Sequence, residues 1–236
     1  MGLIHPGFGD LIEDVVHLRG REGQALKVSV AVNFYDSGSF QGSTGEMCGI
    51  SQSMTHHCIK ITNGMFRRAG DYVCFCIDPN SQAERAIGFW AIAGFSQVQG
   101  VIDCMHVAIK APTDQPAAFI DQKGFHSRNV QLVLRQQQEL LSVCTHFPGS
   151  CHDSFMLCQS RLPQSFTPMP KVCGWNLGGK GNPLKRRLLT PLRKPQTEVQ
   201  RQNNQYHLLS RTTIEEAIGF LKMRFRCLDW LGGTLQ

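Results

Sequence analysis

At 236 residues the chain has the length for one full-sized core and a small satellite domain, and its 42% hydrophobic and 18% charged composition excludes global disorder. No apolar run approaches the roughly 20 residues that a membrane span requires. The net charge of +6, with a pI near 8.9, gathers in Lys180, Lys185, Arg186, Arg187, Arg193 and Lys194 and again in Lys222, Arg224 and Arg226. That clustering suits either a polyanionic partner or a solvated loop and helix end.

Ten cysteines are scattered through apolar surroundings, so reduced core thiols are expected rather than a disulfide scaffold. The close pairs Cys74 with Cys76, and His56-His57-Cys58, lack a second pair at zinc-finger spacing. The start Met1-Gly2-Leu3-Ile4-His5-Pro6 has neither an apolar secretory core nor the Ser or Thr of a myristoylation signal. A soluble, intracellular protein is the expectation.

Residues 1–24 are rich in Gly and charge and read as the N-terminal stub of something longer. Over 25–70 the pattern is helical: Lys27 to Tyr35, a turn at Asp36-Ser37-Gly38-Ser39, Gln41 to Cys48, a tight turn at Gly49-Ile50-Ser51-Gln52, then Ser53 to Arg68. Gly49 suits the left-handed residue that closes a helix, Ile50 can plug the joint, and Ser51 or Ser53 can cap the next helix. This outlines a helix-turn-helix. In a DNA-binding version Gln52, Ser53, Thr55 and His56 face the major groove, while Lys60, Arg67 and Arg68 sit nearer phosphate. A small helical bundle with no DNA role fits the same spacing.

Residues 71–94 read as a linker carrying a turn at Asp78-Pro79-Asn80 and a short helix over Gln82 to Phe89. From 95 to 236 the period changes, and a mixed α/β domain is expected. Val98 to Asp103 and Val107 to Ile109 read as strands, and Asn129 to Arg135 with Leu140 to His146 as a hairpin across Gln136-Gln137-Gln138-Glu139. His152 to Gln159 is a short helix and Lys171 to Leu177 a further candidate strand. Thr197 to Leu228 is a long helix, broken or bent near Ser210, with Ile214, Ile218, Leu221, Phe225 and Leu228 on one stripe.

Cleavage of a phosphodiester with metals needs carboxylates that converge from several elements. Asp103 ends a strongly apolar strand, where an unpaired carboxylate is expensive to bury unless it faces a cation or makes a turn. Asp153 starts a helix, where a capping or first-turn carboxylate is also at home. Arg211, Glu215 and Lys222 fall on one side of the long helix, either as a surface ion-pair row or as an acid that holds metal between bases that hold phosphate.

Several blocks occur in a fixed order: Gly100-Val101-Ile102-Asp103-Cys104-Met105-His106-Val107-Ala108-Ile109-Lys110-Ala111-Pro112, Lys123-Gly124-Phe125-His126-Ser127, and Pro148-Gly149-Ser150-Cys151-His152-Asp153-Ser154. Leu188-Leu189-Thr190-Pro191-Leu192 and Arg224-Phe225-Arg226-Cys227-Leu228-Asp229 follow, and Tyr35-Asp36-Ser37-Gly38-Ser39-Phe40-Gln41 with Gly49-Ile50-Ser51-Gln52 precede them. Together they closely resemble the harbinger transposase-derived nucleases, the PIF/Harbinger branch of the DDE superfamily, over nearly the whole chain.

The resemblance implies a ribonuclease H-like core with flanking helices, Mg²⁺- or Mn²⁺-dependent cleavage of DNA, a nuclear location, and a separate Myb-like DNA-binding partner protein. It places the metal-binding acids at Asp103, Asp153 and Glu215, with Asp103 and Glu215 catalytic. Arg211, Lys222, Lys185, Arg186 and Arg187 are then candidates for phosphate contact. The Arg211, Glu215, Lys222 spacing also resembles related bacterial insertion-sequence transposases, with Leu208 at their tyrosine position.

Where the family carries a late-strand aspartate the chain reads Gly178-Gly179-Lys180-Gly181-Asn182-Pro183, so Gly179 replaces an acid expected beside Asp103. Weak or absent metal binding is the expected result. The family's usual further apolar helix is not found before Gln236, which predicts a C-terminally short domain. Two readings stay open: a metal-dependent DNA endonuclease, or a catalytically inactive, domesticated or decaying copy that serves as a DNA- or protein-binding module.

Overall fold

Alternating apolar residues from Val98 onward do not stop at Asp103. In the computed structural model they form one eleven-residue strand, β1 (Val98–Ala108), whose first five residues are all buried. The structure describes residues 21–66, 73, 75, 78–160 and 174–229. Among them the chain divides into two compact units, one built on Phe75–His106 and Ala111–Ile218, the other on the N-terminal helices with Val107–Lys110 and the segment from Gly219.

The first unit holds the sheet. β1 is its centre, flanked on one side by the hairpin β2 (Ser127–Leu134) and β3 (Leu140–Pro148), and on the other by β4 (Trp175–Leu177) and β5 (Leu188–Leu189). The order β3-β2-β1-β4-β5 combines an antiparallel β2–β3 pair with parallel β1–β4 and β4–β5 pairs. This mixed topology is ribonuclease H-like. Ile102, Val133, Leu141, Leu157 and Leu188 form a continuous apolar cluster, with Phe75 packed against it.

Ahead of the sheet, α4 (Pro79–Ala93) is capped by Asp78, whose carboxylate accepts from the Ser81 N–H at 2.9 Å. It is longer than the short helix expected within a linker, and it buries Gln82, Arg85 and Phe89 in the unit. Arg85 Nε donates to Gln99 Oε1 at 3.3 Å, and Gln99 Nε2 donates to the Gln82 carbonyl at 3.2 Å. A buried amide on β1 therefore satisfies the helix's polar groups, which a hydropathy pattern cannot register.

α5 (Asp153–Gln159) follows β3, and α6 (Glu198–Arg224) closes the series as 27 unbroken residues. The bend expected near Ser210 is absent, because Ser210 lies fully buried on the packed face. That face runs His207, Ser210, Thr213, Ile214 and Ala217, at the spacing of three and four that one side of a helix requires.

In the second unit α1 (Arg21–Ser37), α2 (Gln41–Cys48) and α3 (Gln52–Phe66) pack on one another. Gly49 adopts a left-handed conformation (φ 68°) and caps α2, the Ile50 N–H returns to the Gly45 carbonyl at 2.9 Å, and Ser51 Oγ accepts from the Met54 N–H at 3.2 Å. The tight turn is as the sequence implied. The groove-facing set is not: Gln52, Ser53, His56 and Lys60 are exposed, but Thr55 is fully buried, its hydroxyl donating to the Ser51 carbonyl. Arg67 and Arg68 lie outside the described residues.

A methyl group on Gly45 would meet Ile50 O at 2.7 Å and Thr55 Oγ1 at 2.9 Å. Gly45→Ala is therefore expected to destabilise this helical joint by about 1–3 kcal/mol, read as a lower urea midpoint by circular dichroism. An unchanged midpoint would show that the joint can relax around the methyl group.

All seven described cysteines are free, as expected, but only Cys58 and Cys227 are buried and Cys158 is exposed. Cys74, Cys76 and the expected strand start at 171–173 lie outside the described residues. No described helix is long and apolar enough to cross a membrane.

Candidate active site

β4 ends at Leu177, paired with Val101, so β1 continues past its neighbour and Asp103 emerges two residues beyond the last paired position. Asp103 is thus a mid-strand residue rather than the strand end expected, and the opening arises because β4 stops. Beyond β4 the Gly178 N–H still pairs with the Leu189 carbonyl at 2.9 Å, and Gly179 faces the guanidinium of Arg211, which in turn reaches Asp103. Lys180 points outward and is exposed.

Arg211 reaches into this opening from α6. Its Nη2 lies 2.7 Å from Asp103 Oδ2 and 3.5 Å from Glu215 Oε1, so two carboxylates from different elements face each other across one cation. Asp103 and Arg211 expose only 21% and 14% of their side chains, whereas Glu215 exposes 53%. Burial is the largest influence on the Asp103 carboxyl and raises it above the ordinary range against the pull of Arg211, and nearby Asp153 raises it further. The buried His207 imidazole is pushed the other way, chiefly by burial and also by Arg211, against the hydrogen bond to the Leu189 carbonyl.

Asp153 occupies the first turn of α5, behind the N-cap His152. Its Oδ1 accepts from Asn129 Nδ2 at 3.3 Å, and the same amide nitrogen donates to the Cys151 carbonyl at 3.0 Å. Burial, with the nearby charges of Asp153 and Asp103, raises the Cys104 thiol far above the usual range. Cys104 and Met105 continue β1 beyond Asp103. Asn129 and Cys104 were not legible as positioning residues; a buried amide in an otherwise apolar strand was the available signal.

The three acids of the sequence reading are neighbours but do not converge on one point. Among the described residues no group of three or more His, Cys, Asp or Glu is arranged to hold a metal ion. The pair Asp103 and Glu215 does fit a cation in kind, being hard oxygen donors facing a single positive charge, with the Arg211 guanidinium as its present occupant. Arg211, expected at phosphate, is directed inward instead. Lys185 and Arg186 are exposed on the turn that leads into β5, and Lys185 Nζ lies 3.2 Å from Cys158 Sγ; Arg187 is half-buried. Lys222 falls in the second unit.

Residues 102–236 match the family described as DDE superfamily endonuclease. Over 211 residues the chain is 37% identical to the protein named "Putative nuclease HARBI1" of Homo sapiens, which covers 89% of this chain and 60% of that protein. It is 38% identical to the Mus musculus protein of the same name over 212 residues, at the same coverage, and 34% identical to that of Xenopus laevis over 211 residues, 61% of its length. The chain thus spans about three fifths of the curated relatives it matches. No solved structure matches it.

Proposed function

Because the chain belongs to the DDE superfamily endonucleases, we propose that it is a transposase-derived, divalent-metal-dependent DNA endonuclease, with Asp103 and Glu215 as catalytic metal ligands and Asp153 assisting. The observation that carries this reading is the single cation shared by Asp103 and Glu215, since a half-buried acid from a strand and an exposed acid from a helix approach it together. Mg²⁺ or Mn²⁺, when bound, would make water a nucleophile near neutral pH and neutralise charge on the phosphate.

The protein's own contributions follow from its packing. β1 is fixed at the sheet centre, so Asp103 has little freedom. The buried stripe of α6 sets the rotation that aims Arg211 and Glu215. Asn129 fixes the Asp153 carboxylate. Lys185 and Arg186 stand two strands from β1, roughly 10 Å away at ordinary strand spacing, where they suit the DNA backbone and supply affinity without sequence preference. DNA as substrate, a Myb-like partner protein and a nuclear location belong to the same reading.

Gly179 and the Asp103–Arg211 pair favour a second reading, in which the chain is a catalytically silent copy that still binds DNA or protein. Nicking of supercoiled plasmid separates the two. The endonuclease reading expects nicking that needs Mn²⁺ or Mg²⁺, stops when EDTA removes the metal, and declines with added salt. Plasmid binding without metal-dependent nicking at any metal concentration establishes the silent copy.

A further inference from the structure

Gly179 and Arg211 fit each other. A Cβ placed on Gly179 would lie 3.0 Å from Arg211 Nη1, so the guanidinium rests where a side chain at 179 would begin. Its other edge grips Asp103 at 2.7 Å and approaches Glu215 at 3.5 Å, and its Nε is buried without a hydrogen-bond partner among the described residues. Among the described residues the guanidinium is held by the two acids and by the space beside a glycine, so charge and volume place it.

We propose that Arg211 is a built-in counterion that occupies the cation seat between Asp103 and Glu215 and competes with a divalent metal for it. This rests on the metal-dependent reading above. One positive charge already balances part of the two carboxylates, and a dication entering beside it would meet direct repulsion at a few ångströms, in partly desolvated surroundings. Metal loading then requires the guanidinium to leave Asp103. The glycine at 179 is what allows Arg211 to sit so deep, so the two positions act together.

Calorimetric titration of Mn²⁺ into the 236-residue chain tests this, using the native protein, Arg211→Gln, Gly179→Ala and the double variant Arg211→Gln with Asp103→Asn. Arg211→Gln is expected to bind Mn²⁺ about 100-fold more tightly than the native chain, because the competing charge is gone. Gly179→Ala, which keeps every charge and only pushes on the guanidinium, is expected to bind with intermediate strength. The double variant is expected to lose the gain.

Equal, Asp103-dependent affinity in the native chain, Arg211→Gln and Gly179→Ala would overturn the competition and leave the metal-dependent reading standing. No Asp103-dependent Mn²⁺ binding in any of them would overturn both. Should Arg211→Gln fail to fold, Gly179→Ala against the native chain decides the matter. Its methyl group asks the guanidinium tip to move only a few tenths of an ångström, and its residue lies outside the left-handed region.

Discussion

Asp103→Asn is expected to abolish metal-dependent nicking, with a loss of at least about 100-fold, because the substitution removes an anionic donor from the cation seat while keeping the side-chain shape. The same change withdraws the partner of a guanidinium that is only 14% exposed. Folding stability is therefore expected to fall by about 1–3 kcal/mol, less than for a fully buried pair, since the asparagine oxygen can still accept a hydrogen bond from Arg211. Plasmid nicking and urea denaturation measure the two effects independently. Undiminished nicking by a folded Asp103→Asn protein would remove Asp103 from the chemistry.

Gly179→Asp acts in the opposite direction. Its Cβ would start 3.0 Å from the Arg211 guanidinium, so the new carboxylate meets the arginine at once and competes with Asp103 for it. Either the guanidinium is drawn away and Asp103 is freed, or the aspartate itself becomes a further oxygen donor beside Asp103. Both routes raise the negative charge available to a dication. Mn²⁺-dependent nicking is expected to rise at least about tenfold, a gain of ~1.4 kcal/mol or more in transition-state stabilisation. Equal nicking by Gly179→Asp and the native chain would mean that neither the lost acid nor the seated arginine limits turnover.

Much of the framework was legible before any coordinates because local chemistry specifies it. The hairpin announces itself by two apolar strands around Gln136-Gln137-Gln138-Glu139, and the α2–α3 joint by Gly49 followed by a capping Ser51. The parts that escaped depend on partners distant in sequence. β5 is two residues long and exists only because β4 offers it an edge. β1 continues through Asp103 and His106 because the hairpin supports its other side, although those polar residues look like an ending.

α4, expected only as a short helix within a linker, is held to the sheet by Gln99 meeting Arg85 and Gln82. At the candidate site the acids were legible as residue types in order. The contact that organises them, Arg211 to Asp103, spans 108 positions of sequence, and no periodicity encodes it.

The register that joins Val98–Val101 to Trp175–Leu177 has a consequence for how the chain folds. The β2–β3 hairpin closes through a short turn and can form early, whereas the central strand gains its parallel neighbour only after the hairpin and α5 have been made. α6, which supplies the counter-charge to Asp103, comes later still. During synthesis from the N-terminus the innermost strand therefore carries an uncompensated carboxylate until nearly the last described helix has emerged. Release of a truncated chain lacking α6 should leave that carboxylate unbalanced, and make premature termination visible to quality control as an incompletely closed sheet.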